Sequence, residues 1–386
     1  MLTVIKFGGS SLASREKVEN AARIAARERE EGNRVVMVVS AQGDSTDELM
    51  SRAHELSAEP DLRELDVLLS AGEQISMALA AIALHELGVP AVSLCGWQAG
   101  IVTDGEHGGA RVRAVHTERL KRELDAGRVV VAAGFQGIDE KGDITTIGRG
   151  GSDTTAAVLA AALGADVCRI YTDVHGVYSA DPREITTAVR HGEISYDEML
   201  ELASLGAKVL HSRAVDIARR EGTALEVLSS FEQGSGTRIC AGGERREVTA
   251  VTSDAAVAVL RVKPAEPQNV AELLARLAGE GIATDMVTCA GGELALSLPS
   301  EQAEKAVQSL REGGGEIALD GDAAKLSAVG AGMAGSPRAA ARMLAALRRE
   351  KIEIKMVYSG EIKTSVVVGR EDRRRGLEAI HKEFFE

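Results

Sequence analysis

Four short stretches of this 386-residue chain carry residue types suited to a charged, phosphorylated ligand. The first is Lys6-Phe7-Gly8-Gly9-Ser10-Ser11. A β run delivers a lysine, two glycines let the backbone approach closely, and the N–H groups of a following helix start favour an anion. No Gly-Lys-Ser/Thr closes the loop, so it is not a Walker A motif. A plain strand-to-helix turn explains this stretch, taken alone, as well as a phosphate cradle does. The second is Thr146-Ile147-Gly148-Arg149-Gly150-Gly151-Ser152-Asp153. Arg149 suits a bidentate grip on a carboxylate, and Ser152 or Asp153 can cap the helix that begins there. A purely structural turn rarely needs arginine between glycines. The third runs from Tyr171-Thr172-Asp173 through Gly176-Val177-Tyr178 to Ser179-Ala180-Asp181-Pro182-Arg183. It ends a strand in a polar loop, where ligands of α/β proteins sit, although Ser179–Pro182 alone reads equally as a surface turn. The fourth is Ser40-Ala41-Gln42-Gly43-Asp44-Ser45-Thr46, with hydroxyls and a glycine at another strand end. Glu73 lies inside an apolar helical stretch, Ala71-Gly72-Glu73-Gln74. A buried carboxylate needs a partner, and a substrate ammonium would be one. Backbone or solvent is the simpler partner for Glu73 considered by itself.

These residues must be positioned by alternating strands and helices. Thr3–Phe7, Arg34–Ser40, Val89–Leu94, Arg128–Gly134 and Asp166–Thr172 read as strands. RVVMVVS is continuously apolar and predicts a strand buried on both faces. Helices are expected over Ser14–Glu30, Ser45–Ser57, Leu62–Leu87, Arg111–Ala126, Asp153–Ala162, Tyr196–Leu202 and Lys208–Glu221. Repeated βα units predict an α/β sandwich with a mostly parallel sheet.

The pattern shifts after Phe231. Glu232–Arg246 is glycine-rich and charged and reads as a linker. Beyond it two successive βαββα patterns follow. Their strands are Ala255–Val262, Ile282–Val287 and Glu293–Leu298, then Lys325–Val329, Ile352–Tyr358 and Lys363–Val368. They suggest a duplicated, ferredoxin-like α+β module. The expected division is a catalytic domain at 1–235, a linker at 236–250 and two modules at 251–320 and 321–386.

Composition narrows the function. The net charge of −13 repels phosphate backbones and argues against nucleic-acid binding. No basic start precedes a long apolar run, and the richest apolar stretches, Met77–Leu84 and Ala156–Leu163, are too short to span a bilayer. No membrane partner is therefore expected. Cys95, Cys168, Cys240 and Cys289 are widely spaced and form no CxxC pair, which fits a reducing cytoplasm. The eight histidines show no HxH or HExxH spacing, and no residue is assigned to a metal. Val329-Gly330-Ala331-Gly332-Met333 is a fragment of a dinucleotide fingerprint without its third glycine, and reads as a turn. Arg370–Arg375 reads as a solvated helix start.

Taken together, KFGGSS, SAQGDSTDEL, LLSAGEQIS, TIGRGGSDTT, YTDVHGVYSADPR and GAKVLHSR resemble the aspartokinase family in order and spacing. The resemblance runs from residue 2 to residue 368. It implies an amino-acid-kinase-type α/β sandwich followed by two ferredoxin-like α+β ACT domains. It also implies transfer of the ATP γ-phosphoryl group to the β-carboxylate of L-aspartate, with Mg2+ bridging the phosphates. On this resemblance Lys6 would hold the transferring phosphoryl group and Asp153 would orient the active-site lysines. Arg149 would grip a substrate carboxylate, Glu73 would pair with the α-ammonium, and Ser40, Thr46 and Ser152 would add hydrogen bonds. Gly8, Gly9 and Ser10 would contact phosphates; Thr172, Asp173, Tyr178 and Arg183 would line the nucleotide, and Lys208 would reach its phosphates. A homodimer or higher homo-oligomer through the ACT units is implied, with lysine or threonine as effector.

The chain departs from the family pattern in places. Gln74, His175 and Ser212 replace a basic residue, Asp and Pro. The first ACT loop reads Ala265-Glu266-Pro267-Gln268-Asn269 and lacks the usual Asp and Gly. The second unit has Gly335-Ser336-Pro337-Arg338 and Ser359-Gly360-Glu361-Ile362. An effector loop closing through backbone groups depends on glycine, so altered feedback is expected. Three rival readings are weighed: a kinase for another amino-acid carboxylate, a catalytically silent ACT-dependent regulatory protein, and a dehydrogenase resting on Gly330 and Gly332 alone.

Overall fold

The computed structural model describes residues 1–206, 209–232, 234–243, 246–264, 270–311, 315–333 and 337–386. The chain forms two compact units. The first comprises Met1–Tyr178, Arg190–Ala203 and the described part of 208–244. The second comprises Ser179–Val189 and the described parts of 204–207 and 245–386.

The strands of the first unit are β1 (Leu2–Phe7), β2 (Arg34–Val39), β3 (Ala91–Leu94), β4 (Ile101–Thr103), β5 (Val112–Val115), β6 (Val129–Ala133), β7 (Gln136–Ile138), β8 (Ile144–Thr146), β9 (Val167–Thr172), β10 (Glu193–Ser195), β11 (Leu225–Ser229) and β12 (Thr237–Cys240). Its helices are α1 (Arg15–Glu30), α2 (Ser45–Leu56), α3 (Leu62–Glu86), α4 (Glu118–Asp125), α5 (Gly151–Leu163), α6 (Tyr196–Ser204) and α7 (Ser212–Glu221). Eight strands build the main sheet in the order β10-β12-β11-β9-β1-β2-β6-β3. All its pairings are parallel except β11 with β12. The order reverses at β1, whose neighbours are β2 and β9, and such a switch point opens a crevice at the strands' carboxyl ends. β5-β4-β7-β8 form a separate small sheet.

The runs that read as continuously apolar are buried because both faces are covered. Ile5, Phe7, Met37 and Val39 join a core cluster with Val18, Ala22 and Ala25 of α1 and Met77, Ala80 and Leu84 of α3. The alternate residues of β1, Val4 and Lys6, face the other way, where α5 lies against β1 and β9. Small residues Ala156, Ala157 and Ala160, all fully buried, let α5 lie close to the sheet.

The second unit has β13 (Ala250–Pro264), α8 (Val270–Gly279), β14 (Val287–Ala290), β15 (Glu293–Pro299), α9 (Ala303–Arg311), β16 (Gly315–Val329), α10 (Arg338–Arg349), β17 (Ile354–Ser359), β18 (Lys363–Val368) and α11 (Arg373–Phe385). Its strands form one antiparallel sheet in the order β14-β15-β13-β16-β18-β17. β13 and β16 are each 15 residues long and pair along most of their length, with register shifts between Asp254 and Val259. On one side of that irregularity Val251, Leu326, Met343, Val366 and Leu377 share a core; on the other Leu260, Leu273, Leu296 and Leu310 do. The two ACT-type lobes thus share both strands.

Several expectations need correction. The proposed linker at 236–250 contains β12, which pairs with β10 and β11, and β13 begins at Ala250. The proposed boundary at 320/321 falls inside β16, because a glycine-interrupted run, EIALDGDAAKLSAV, still completes the ladder with β13. Arg111–Ala126 is not one helix: R-V-R-A-V alternates as strand β5, and α4 starts only at Glu118. Ile282 and the residues before Val287 are not strand. The apolar stretch around Met77–Leu84 belongs to the 25-residue helix α3, which is long and apolar enough to cross a bilayer; half of its most apolar window is buried inside the protein.

Candidate active site

The carboxyl ends of β9, β1, β2 and β6 deliver four loops to one edge of the main sheet. Gly8–Ser11 follows β1 and turns as a short 3-10 segment. The Gly8 N–H donates to the carbonyl of Tyr171 at 3.3 Å, and the Gly43 N–H donates to the carbonyl of Gly9 at 3.0 Å. The glycine loop is therefore held between the loops after β9 and β2. A Cβ on Gly9 would sit 2.8 Å from the Ala41 carbonyl oxygen, so only glycine fits this approach. The Ser40 N–H donates to the carbonyl of Phe7 and the Gly134 N–H to that of Val39, which continues the parallel ladder into the loops.

Lys6 and Asp153 meet at this edge. Lys6 Nζ lies 2.5 Å from Asp153 Oδ1, and both side chains are almost buried. A β1 residue on the α5 face and a residue in the first turn of α5 are brought together by the packing of that helix. The second Asp153 oxygen accepts the main-chain N–H of His211 at 3.3 Å. His211 Nδ1 accepts the Arg213 N–H as the N-cap of α7, and burial lowers the pKa of its imidazole. Its ring lies against Gly150, where φ is +66° and an added Cβ would stand 2.1 Å from the ring. Gly148 has φ +79°, so Arg149 sits exposed between two left-handed glycines in front of α5. Ser152 is buried, with its hydroxyl against Gly134.

A polar face of α3 lies beside these loops. Asp66, Ser70 and Glu73 are buried on one helical face. Asp66 accepts from His107, the Gly108 N–H and the Thr146 hydroxyl, which fixes the loop that leads to Arg149. Gln136 Nε2 donates to the Ser70 carbonyl at 2.9 Å. Glu73 Oε1 accepts the Ala41 N–H at 3.0 Å, so α3 is tied to the loop after β2. Glu73 Oε2 is buried with no hydrogen-bond partner among the described residues. Burial pushes the Glu73 carboxyl up to about 7, against a smaller opposing effect of the Ala41 amide.

The predicted residues fare differently. Lys6, Gly8, Gly9, Ser40, Glu73, Ser152 and Asp153 lie on the converging loops and their supports. Ser10 is exposed on the glycine loop, and its carbonyl accepts from Lys17 Nζ. Thr46 lies in the first turn of α2. Thr172 ends β9 and donates its hydroxyl to Asp173, while Tyr178 bridges to Arg190. Arg183 belongs to the stretch that joins the second unit, and its guanidinium folds back onto Asp181 at 2.7 Å. Lys208 lies outside the described residues. Asp66 and His211 were missed. The signal for Asp66 is its spacing from Ser70 and Glu73, three polar positions on one face of an apolar helix.

The chain is similar to known proteins over nearly its whole length. A model of the amino acid kinase family matches residues 1–229, and an ACT domain model matches residues 326–384. An aspartokinase of Geobacillus stearothermophilus is 44% identical over 394 residues, covering 99% of this chain and 97% of the relative. The chain belongs to the aspartokinase family. Aspartokinase 2 of Bacillus subtilis is 43% identical over 404 residues, covering 99% of this chain and 97% of the relative. Among solved aspartokinases, E. coli aspartokinase III in complex with aspartate and ADP matches with a TM-score of 0.85 at 25% identity, covering all of both chains. The same E. coli protein in complex with lysine and aspartate gives a TM-score of 0.81.

Proposed function

We infer that this chain transfers the γ-phosphoryl group of ATP to the β-carboxylate of L-aspartate, giving 4-phospho-L-aspartate, the first step toward lysine, threonine and methionine. It is an ATP-dependent aspartate kinase. The observation that carries the residue-level reading is the pairing of an almost buried lysine–aspartate couple with a nearby buried glutamate that keeps one free acceptor oxygen.

A β-carboxylate is ionised at neutral pH, so its oxygen attacks the γ-phosphorus without a general base. The new P–O bond forms as the bond to the β-phosphate oxygen breaks and ADP leaves. The barrier is the meeting of two anions, and positioning with charge neutralisation lowers it. Lys6 faces the transferring group, held by Asp153. The loop Gly8–Ser10 cradles phosphate oxygens, with the amides of Gly9 and Ser10 as donors and Gly8, whose own N–H is held by Tyr171, allowing the close approach, and Lys208 adds a cation. Arg149 closes on a substrate carboxylate from its exposed loop. Glu73 accepts the α-ammonium through Oε2, while Ser40, Thr46 and Ser152 hold the remaining polar groups. Thr172, Asp173, Tyr178 and Arg183 line the nucleoside. Mg2+ suits the hard oxygens of the nucleotide phosphates, where it neutralises charge.

We place the enzyme in the cytoplasm, which fits its four free cysteines. Its partners are aspartate and ATP, with an amino-acid effector at the ACT lobes and a homodimer as the assembly. The effector loop 265–269 and residues Gly335 and Ser336 lie outside the described residues. The Ser359–Ile362 stretch closes the β17–β18 hairpin, with the Gly360 N–H donating to the Lys363 carbonyl. Its departure from the family pattern supports altered feedback by lysine or threonine.

An ATP-dependent hydroxamate assay on aspartate, glutamate and N-acetylglutamate tests the reaction. Aspartate should be the preferred acceptor; turnover of another acid well above it overturns the reading. Strong inhibition by millimolar lysine or threonine would sink the altered-feedback proposal.

A further inference from the structure

Ser230 follows β11 directly and is 4% exposed. It makes three contacts that reach three different elements. Its N–H donates to the Thr172 carbonyl at the end of β9, at 2.8 Å. Its carbonyl accepts Asn20 Nδ2 of α1 at 2.6 Å. Its hydroxyl lies 2.6 Å from the hydroxyl of Ser11, which is 1% exposed and closes the glycine loop after β1. No described group except Ser230 is hydrogen-bonded to the Ser11 hydroxyl.

We propose that the buried Ser11–Ser230 hydroxyl pair is a positioning device that sets the spacing between the phosphate loop after β1 and the nucleoside loop after β9. The proposal rests on the kinase reading above. β1 and β9 are adjacent parallel strands, so their ladder fixes the strands but not the loops beyond them. Past the ladder, among the described residues, the glycine loop is tied to the end of β9 by the direct bond from Gly8 to Tyr171 and by the bridge through Ser230. A nucleotide spans both loops, with phosphates on Gly8–Ser10 and nucleoside at Thr172–Tyr178. The loop separation therefore decides whether the γ-phosphorus lines up with Lys6. The two buried hydroxyls face each other, so both act through the loops they hold. Removing one leaves the other buried without a partner, which favours a shifted loop. Small displacements of reacting groups are expensive in rate.

The test is a double-mutant cycle on the full-length enzyme with Ser11→Ala, Ser230→Ala and the double variant. Each single change should raise KM for ATP about tenfold, the size of one lost buried hydrogen bond, with KM for aspartate within about twofold. The double variant should be no worse than either single one. Inorganic tripolyphosphate, which spans only the phosphate loop, should inhibit the variants within about twofold of wild type. Equal losses for ATP and tripolyphosphate, or additive effects on ATP, would overturn the spacing role. Failure of both single variants to fold would assign the pair to the core and overturn it too. A wild-type enzyme that turned over no aspartate would instead reject the kinase reading, while leaving the contrast between ATP and tripolyphosphate binding readable.

Discussion

Lys6 Nζ and Asp153 Oδ1 stand 2.5 Å apart with side chains only 11% and 12% exposed, one on the central strand and the other in the first turn of α5. Removing either partner leaves a nearly buried charge unpaired. Lys6→Met should abolish phosphoryl transfer, and Asp153→Asn should lower kcat about a hundredfold. Each single change should destabilise the fold by about 3 kcal/mol, and the double change by less than the two combined. Steady-state rates and denaturant melts check both statements; undiminished turnover by the Lys6 variant rejects its role.

Glu73 must be ionised to hold an ammonium, yet burial raises its carboxyl to about 7. KM for aspartate should therefore fall as pH rises from 6 toward 8 and then level off. The free enzyme shows the opposite side of the same linkage. A carboxyl raised from 4.5 to about 7 contributes stability that is full below 4.5 and is lost as pH rises through 7. The expected loss is about 3 kcal/mol. Glu73→Gln should remove that slope and raise KM for aspartate at least about thirtyfold; a variant with an unchanged stability profile would contradict the assignment.

Gly150 has φ +66° and the His211 ring where a Cβ would go. Gly150→Ala must displace the ring, and with it the main-chain bond to Asp153. The expected outcome is loss of activity beyond about a hundredfold with a melting temperature lower by several degrees. Near wild-type kinetics in this variant would show that His211 does not support Asp153.

Arg373 donates to Glu184 at 2.8 Å and to the Ser253 hydroxyl at 2.6 Å, holding Ser179–Val189 onto the second unit. Ala180 and Ile185 add apolar anchorage there, and Ser179 Oγ lies 3.0 Å from His381 Nε2. Arg373→Ala should weaken this attachment by about 1 kcal/mol. Limited proteolysis should then cut within 182–188 several times faster than in wild type; an unchanged cleavage rate would leave the attachment to the apolar contacts alone.

Much of the first unit was legible because its elements are long and strongly patterned. β2 is a run of valines and methionine that only a two-sided cover explains, and α3 has apolar spacing over seven turns. The GRGGSD turn also stood out, because glycine flanking a charged residue has few structural uses, whereas the glycine loop after β1, taken alone, reads equally as a plain turn. The short strands β7, β8 and β10, three residues each, were invisible. Their pairing is set by partners far away in sequence, and no window of three residues carries a period. Asp66 and His211 were missed for another reason. Each acts on a neighbour's backbone, and such a role depends on tertiary approach rather than on residue type. The Asp181–Arg183 ion pair was likewise not legible, because it depends on how the loop turns rather than on the residue types in its motif.

β13 and β16 run through both ACT-type lobes without a break. Neither lobe can be excised as a self-sufficient fragment, because any cut that frees one strips the other of two strands. Separate melting transitions for the lobes are therefore not expected. A weakening substitution anywhere along that shared ribbon should be felt at both ends, which makes the pair a single thermodynamic object despite its two hydrophobic centres.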